Sequence, residues 1–280
     1  MDKKDPTNVT DNTSRWLKCR DPGSDRQIRL FCFHHAGGTA SAYLKWPDLL
    51  RQGVHSIAVQ LPGRADRFAE PPYDRMGPLV GRLKDELASM LCDQPYAFFG
   101  YSMGARVAFA LSRAVRDAGL PGPQMLFVAA SPGPSLAIPV PGWQEPDTGL
   151  VEYLEDVGGT PSEVLAKQEL MELLLPTIRA DLTAVATWPY SVQDPLSCPI
   201  RAIAGERDDY ASPDRMSAWK AETAADFKMS VLQGDHFFLH TDLARIVEIV
   251  NNDLAAVLES TDSRLKRTLD QPNGFSHNIR

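Results

Sequence analysis

The sequence predicts an α/β protein, a mostly parallel sheet flanked by helices with a helical lid inserted between two of its strands. Three observations lead there. From residue 27 onward short β-rich runs alternate with segments of helical period. The β-rich runs are apolar almost throughout, as strands covered on both faces must be. The alternation breaks once, over residues 132–189, where helical segments follow one another with no convincing strand between them.

The β-rich runs lie at residues 28–33, 56–61, 96–101, 125–130, 200–204 and 228–232, each with turn-forming residues near at least one end. Six strands is therefore a minimum. Residues 79–91, 105–118 and 242–258 carry apolar side chains at three- and four-residue spacing, one stripe per helix for packing on the sheet. The interruption opens on a Pro/Gly-rich entry through Pro141-Gly142-Trp143 and is read as the lid. Within it, Trp143, Leu150, Leu154 and residues 171–175 have two readings, walls of a substrate channel or plain helix packing. Residues 27–131 and 190–260 then form one core. Residues 1–26 are polar and expected to be a flexible lead, although Trp16-Leu17 are able to dock on the body. Residues 261–280 have little to bury and are expected to be disordered.

The chain has 280 residues, 43% of them apolar, enough for one domain with a real core. Its net charge of −7 argues against nucleic acid and anionic membrane as partners, because the overall field repels a polyanion. Cys19, Cys32, Cys92 and Cys198 show no C-x-x-C spacing, so neither a structural metal nor a disulfide framework is expected. The polar start and the lack of any span-length apolar run point to a cytoplasmic protein.

Gly100-Tyr101-Ser102-Met103-Gly104 fits G-x-S-x-G and stands between an apolar run and a helical stretch, the strand-to-helix turn that exposes a nucleophilic serine. Glycines are needed there because a Cβ at either neighbour would strike the adjoining backbone. A serine hydroxyl needs a base, and His236 in Gly234-Asp235-His236-Phe237-Phe238 follows the last strand. That imidazole needs an acid to hold its tautomer. Asp208 follows the strand 200–204 at a short turn, with Asp209 its immediate rival. The order Ser102, Asp208, His236 is that of the α/β-hydrolase fold. His34, His35, His55, His240 and His277 are read as structural imidazoles. The glycines of His34-His35-Ala36-Gly37-Gly38 let backbone amides approach a carbonyl, which nominates the N–H groups of Ala36 and Met103 as an oxyanion hole.

Five stretches together carry a family resemblance: Phe33-His34-His35-Ala36-Gly37-Gly38, Leu61-Pro62-Gly63-Arg64, Gly100-Tyr101-Ser102-Met103-Gly104-Ala105, Arg179-Ala180-Asp181 and Gly234-Asp235-His236-Phe237-Phe238. Through them the chain resembles the type II thioesterases that accompany polyketide synthases and nonribosomal peptide synthetases. Two positions depart from that pattern: His34 stands where the family generally has proline, and Tyr101 where it has histidine. The resemblance implies hydrolysis of stalled or aberrant acyl thioesters from the phosphopantetheine arm of acyl or peptidyl carrier proteins, with no cofactor beyond that arm. The alternatives are a product-releasing thioesterase, a carboxylesterase, or a hydrolase-like binding module without turnover. Carrier proteins are usually acidic, so a chain of net charge −7 is expected to meet them through a local basic patch, for which Arg64, Arg67, Arg106 and Arg113 are the candidates.

Overall fold

The computed structural model describes residues 15–20, 27–137, 143–144 and 146–269. Seven strands form one sheet: β1 (Leu17–Lys18), β2 (Ile28–Phe33), β3 (Val54–Val59), β4 (Tyr96–Tyr101), β5 (Met125–Ala129), β6 (Ile200–Gly205) and β7 (Phe227–Leu232). They lie in the order β1-β3-β2-β4-β5-β6-β7, and every neighbouring pair is parallel except β1 with β3. From β2 the chain steps to β3 on one side, then crosses to β4 and continues outward to β7. The connections therefore diverge between β2 and β4, leaving a crevice at the C-terminal ends of those two strands, where open α/β sheets bind their ligands.

Side-chain alternation sorts the strands onto two cores. In β2, Phe31 and Phe33 join one core and Ile28, Leu30 and Cys32 the other; in β4, Tyr96 and Phe98 oppose Ala97, Phe99 and Tyr101. The first core is closed by α1 (Met76–Asp93) and α2 (Met103–Asp117), whose Leu79, Leu83, Leu87, Val107 and Leu111 make the stripe read from the sequence. The second is closed by α8 (Leu243–Leu269) through Ile246, Val247, Val250 and Leu254, and by Trp46, whose ring lies 4.7 Å from that of Phe99. Among the described residues, no helix is long and apolar enough to cross a membrane.

Between β5 and β6 the chain forms α3 (Asp147–Val157), α4 (Ser162–Leu165) and α5 (Gln168–Ala186). Leu150, Met171, Leu175, Ile178 and Leu182 pack into a small core of their own, with Trp143 and Leu154 partly buried against it. Helix-on-helix packing thus occupies Leu150, Met171 and Leu175 and part of Trp143 and Leu154, while Leu173 and Leu174 of the same stretch are exposed. Two short helices, α6 (Pro213–Ser217) and α7 (Phe238–Thr241), follow β6 and β7.

Several boundaries differ from expectation, three of them with consequences for the fold. β3 runs over Val54–Val59, earlier than residues 56–61, and the chain leaves the sheet ahead of Pro62, which has no N–H to donate to a strand ladder. Within the expected flexible lead, residues 15–20 are placed: β1 pairs Leu17 with Val59, and Trp16 is buried beneath the Arg67 guanidinium, 4.0 Å from its ring centroid. The rest of that lead, residues 1–14 and 21–26, lies outside the described residues. The tail expected to be disordered from residue 261 is helical as far as Leu269, since no helix-breaking residue occurs before Pro272 and Gly274. Residues 270–280 lie outside the described residues.

Candidate active site

Ser102 ends the run of β4 and precedes α2 with φ 53° and ψ −117°, a backbone conformation rare for any residue with a side chain. Its N–H donates to the Ala129 carbonyl at 2.8 Å, which anchors the turn to the neighbouring strand. The flanking glycines are required sterically. A Cβ on Gly100 would lie 2.3 Å from the Gly104 carbonyl oxygen, and one on Gly104 would lie 2.1 Å from the Phe33 carbonyl oxygen. With both absent, α2 starts hard against β2 and β4. Met103 is its first residue, so its N–H has no partner within the helix and sits at the positive end of the helix dipole.

The three residues singled out from distant parts of the sequence meet here. Ser102 Oγ lies 3.0 Å from His236 Nε2, and His236 Nδ1 lies 2.9 Å from Asp208 Oδ2. The Asp208 side chain is fully buried, and its Oδ1 accepts the N–H groups of Tyr210 at 3.0 Å and Ala211 at 2.8 Å. An acceptor facing Nδ1 keeps the proton there and leaves Nε2 to receive one from the serine hydroxyl. Asp209, the rival, is exposed to solvent.

The Tyr101 hydroxyl donates to the His236 carbonyl at 2.7 Å and accepts from Leu239 N–H at 3.1 Å, so the residue beside the serine also holds the loop that carries the histidine. Sequence reading marked Tyr101 as a departure from the family pattern but missed this bond, because its partners lie more than 130 positions away. It also missed the work of Asp181, although the Arg179-Ala180-Asp181 stretch pointed at that position. Asp181 lies on α5 and is buried; its Oδ2 accepts the Gly37 N–H at 2.8 Å and Arg64 Nη1 at 2.6 Å, while Oδ1 accepts Arg64 Nη2 at 2.8 Å. Thr177 on the same helix donates to the Gly63 carbonyl at 2.7 Å. The lid thereby touches both turns that rim the crevice.

The four arginines expected to form a basic docking patch are not at the surface: Arg64, Arg67, Arg106 and Arg113 are each 4–6% exposed. Arg64 is paired with Asp181. Arg67 bonds Glu70 and the Gln60 carbonyl. Arg106 donates to the Leu136 carbonyl, and Arg113 pairs with buried Glu222 and the Ser191 carbonyl. Fixed, multiply bonded guanidinium groups inside the fold satisfy carbonyls and carboxylates that would otherwise be buried unpaired. They offer no free charge to a partner.

Two further contacts seat the lid over the turns that carry Asp208 and His236. The Tyr210 hydroxyl donates to Asp156 Oδ2 on α3 at 2.6 Å. The Phe237 ring lies against Gly159, where a Cβ would come within 2.3 Å of it. His240, read as a structural imidazole, is exposed and stacked on Phe237, while His55 is buried as expected and His277 lies outside the described residues. Among the described residues, no cluster of three or more His, Cys, Asp or Glu side chains is placed to hold a metal ion.

Comparison with known proteins shows the family. Residues 28–254 match the family model of the thioesterase domain. The chain is 37% identical over 251 residues to linear gramicidin dehydrogenase LgrE of Brevibacillus parabrevis, covering 88% of this chain and 94% of that one. It is similar to the solved structure of RedJ, the thioesterase of the prodiginine pathway in Streptomyces coelicolor, with 36% identity and a TM-score of 0.78 over 83% of this chain and 87% of that one. BorB, the type II thioesterase of the borrelidin biosynthetic cluster, is 34% identical with a TM-score of 0.76, over 85% of this chain and 96% of that one.

Proposed function

The chain belongs to the thioesterase family, and from that premise we propose that it is an editing thioesterase, hydrolysing stalled or aberrant acyl groups from the phosphopantetheine thiol of carrier proteins in polyketide or nonribosomal peptide biosynthesis. The observation that carries the proposal is the unbroken relay from Asp208 through His236 to Ser102, at 2.9 and 3.0 Å.

In the proposed reaction His236 Nε2 takes the Ser102 proton as Oγ attacks the thioester carbonyl. The N–H groups of Ala36 and Met103 stabilise the oxyanion. The carbon–sulfur bond breaks and the pantetheine sulfur leaves with the proton from His236. A thiol is a good leaving group, since a free cysteine thiol ionises near ~8.5, so its expulsion needs less proton assistance than that of an amine. Water, deprotonated by His236, then attacks the acyl-serine, the carbon–oxygen bond to Ser102 breaks, and His236 returns the proton to Oγ as the acid leaves. The chemistry uses the chain's own side chains and amides, the phosphopantetheine arriving with the substrate, and the cytoplasm is the compartment where such synthases and this chain would meet.

The thioesterase names of RedJ and BorB and the dehydrogenase name of LgrE point to different reactions. The relay favours hydrolysis, and the chain has no G-x-G-x-x-G dinucleotide fingerprint. The test is acyl release from loaded carrier proteins by wild type and by Ser102→Ala. Wild type should liberate free acid and regenerate the carrier thiol, and Ser102→Ala should lose nearly all of that rate, on the order of 10⁴-fold or more. Equal rates for the two proteins would refute the reading. Faster turnover of matched oxygen esters than of thioesters would replace it with a carboxylesterase, and a cyclic product with a product-releasing enzyme.

A further inference from the structure

Two consecutive imidazoles lie along the backbone of the turn after β2. His34 Nδ1 is 2.8 Å from the His35 carbonyl oxygen, and His35 Nδ1 is 2.9 Å from the Ala36 carbonyl oxygen. A carbonyl oxygen only accepts, so both Nδ1 atoms carry the proton and both Nε2 atoms are bare.

These bonds act on two successive peptide units. The unit joining His35 to Ala36 is held by its oxygen, which accepts from His34 Nδ1 and, at 3.0 Å, from Gly38 N–H. The unit joining Ala36 to Gly37 is held at both ends, its oxygen by His35 Nδ1 and its N–H by Asp181 Oδ2 at 2.8 Å. A trans peptide is planar, with its oxygen and its amide hydrogen pointing in opposite directions. Fixing the His35 oxygen therefore fixes where the Ala36 N–H points.

We propose that His34 and His35 are positioning residues for the oxyanion hole: each, protonated at Nδ1, locks one peptide unit, and His34 thereby aims the Ala36 N–H at the substrate oxygen. This rests on the reading of Ala36 N–H as an oxyanion donor. The surroundings keep each ring neutral. Burial lowers the proton affinity of His34, the Arg64 charge lowers it further, and burial brings the His35 pKa down to about 4. His34 Nε2 is buried with no hydrogen-bond partner among the described residues, so a proton there would be an unpaired donor. The ring shares a small apolar space with Val59, Leu61, Met103 and Val107, which places it beside the residue that supplies the other oxyanion donor. Nothing in this arrangement needs the imidazole to titrate or to touch substrate.

The chemistry of asparagine and glutamine separates the two ring nitrogens. An Asn side chain puts its amide one atom beyond Cγ, near the place of Nδ1, whereas Gln reaches toward that of Nε2. The experiment measures kcat and KM on an acyl-pantetheine thioester for His34→Asn, His34→Gln and His34→Leu. Alongside them it measures affinity for the matching trifluoromethyl ketone, whose adduct with Ser102 bears the oxyanion. Removing an oxyanion donor outright costs about 10²–10³ in kcat, so misdirecting one should lower kcat roughly 10- to 100-fold in the Leu and Gln variants. KM should stay within about twofold, the ketone affinity should fall in step with kcat, and Asn should recover most of the loss. Spectra of ¹⁵N-histidine-labelled wild type, with the His34 signals assigned by their absence from the Asn variant, should show Nδ1 protonated and Nε2 bare at neutral pH. The proposal is overturned if His34→Leu matches wild type, if kcat falls while ketone affinity does not, if Gln rescues and Asn fails, or if the spectra place the proton on Nε2. Should wild type release no acid from the thioester, the thioesterase reading is what fails, and the spectra still decide the tautomer.

Discussion

Asp208 and Asp209 are neighbours with the same side chain, yet one is buried against an imidazole and the other faces water. The difference comes from the turn after β6, which points Asp208 inward and aims the N–H groups of Tyr210 and Ala211 at its carboxylate. Those bonds give partners to a carboxylate oxygen that burial would otherwise leave unsatisfied. The same concern governs His34 and His35, whose rings are held neutral by burial. An unfolded chain takes up protons on both rings near pH ~6.5, whereas the folded chain resists, His35 down to about 4. Between those limits the unfolded state binds more protons, so stability falls as pH is lowered. The charges facing His35 are those of His236, His240 and Asp181, of which Asp181 alone favours its protonated form. The unfolding midpoint of the wild type is expected to drop on acidification from about pH 7 to about pH 5, and His35→Asn is expected to show a shallower slope, measurable by thermal melts across that range. Equal slopes would mean that other groups account for the acid sensitivity.

The junction of β4 and α2 depends on closeness rather than on any single strong bond. The helix starts where it does because Gly100 and Gly104 carry no side chain, and the strain at Ser102 persists because strands on both sides hold the turn. Gly104→Ala would press a methyl group against the Phe33 carbonyl, backbone that has little room to move, so α2 and β2 must part. The expected cost is about 1–3 kcal/mol of stability, read as a lower urea midpoint, with a loss of activity beyond what the melting change explains. A variant with wild-type stability and rate would show that the two elements have slack between them. The strands and the long helices were legible before any coordinates, because period and apolarity are local properties of the chain. β1 is not legible in this way, since two residues have no period, and Trp16 and Leu17 stand out only by their apolarity in a polar segment.

Across the whole molecule, one buried ion pair joins three parts of the chain. Arg64 comes from the turn after β3, Asp181 from α5 and the Gly37 N–H from the turn after β2, so the lid is fastened to the rim of the crevice through a carboxylate. Gly37 has φ 70° and a Cβ there would lie 2.7 Å from Ile178 Cγ1, so α5 also presses on that turn directly. Arg64→Ala strands the Asp181 charge and is expected to destabilise the protein by about 3–5 kcal/mol. Arg64→Met combined with Asp181→Leu should cost less than Arg64→Ala, since no lone charge is left behind. A larger loss in the double variant, measured by denaturant unfolding, would show that the pair holds the lid by more than charge compensation.

Strand–helix alternation and motif order are written in local spacing, so the layered architecture and the three residues that meet as Ser102, His236 and Asp208 can be read along the chain. The fate of the charged and hydrogen-bonding groups emerges only on folding. Arg64, Arg67, Arg106 and Arg113 look like surface charges until their partners are known, and the bonds of Tyr101 and Asp181 cross more than 100 positions of chain. The reason is physical: burial of an apolar stripe repeats along a helix or strand and leaves a period, whereas a hydrogen bond depends on two groups that folding alone brings face to face.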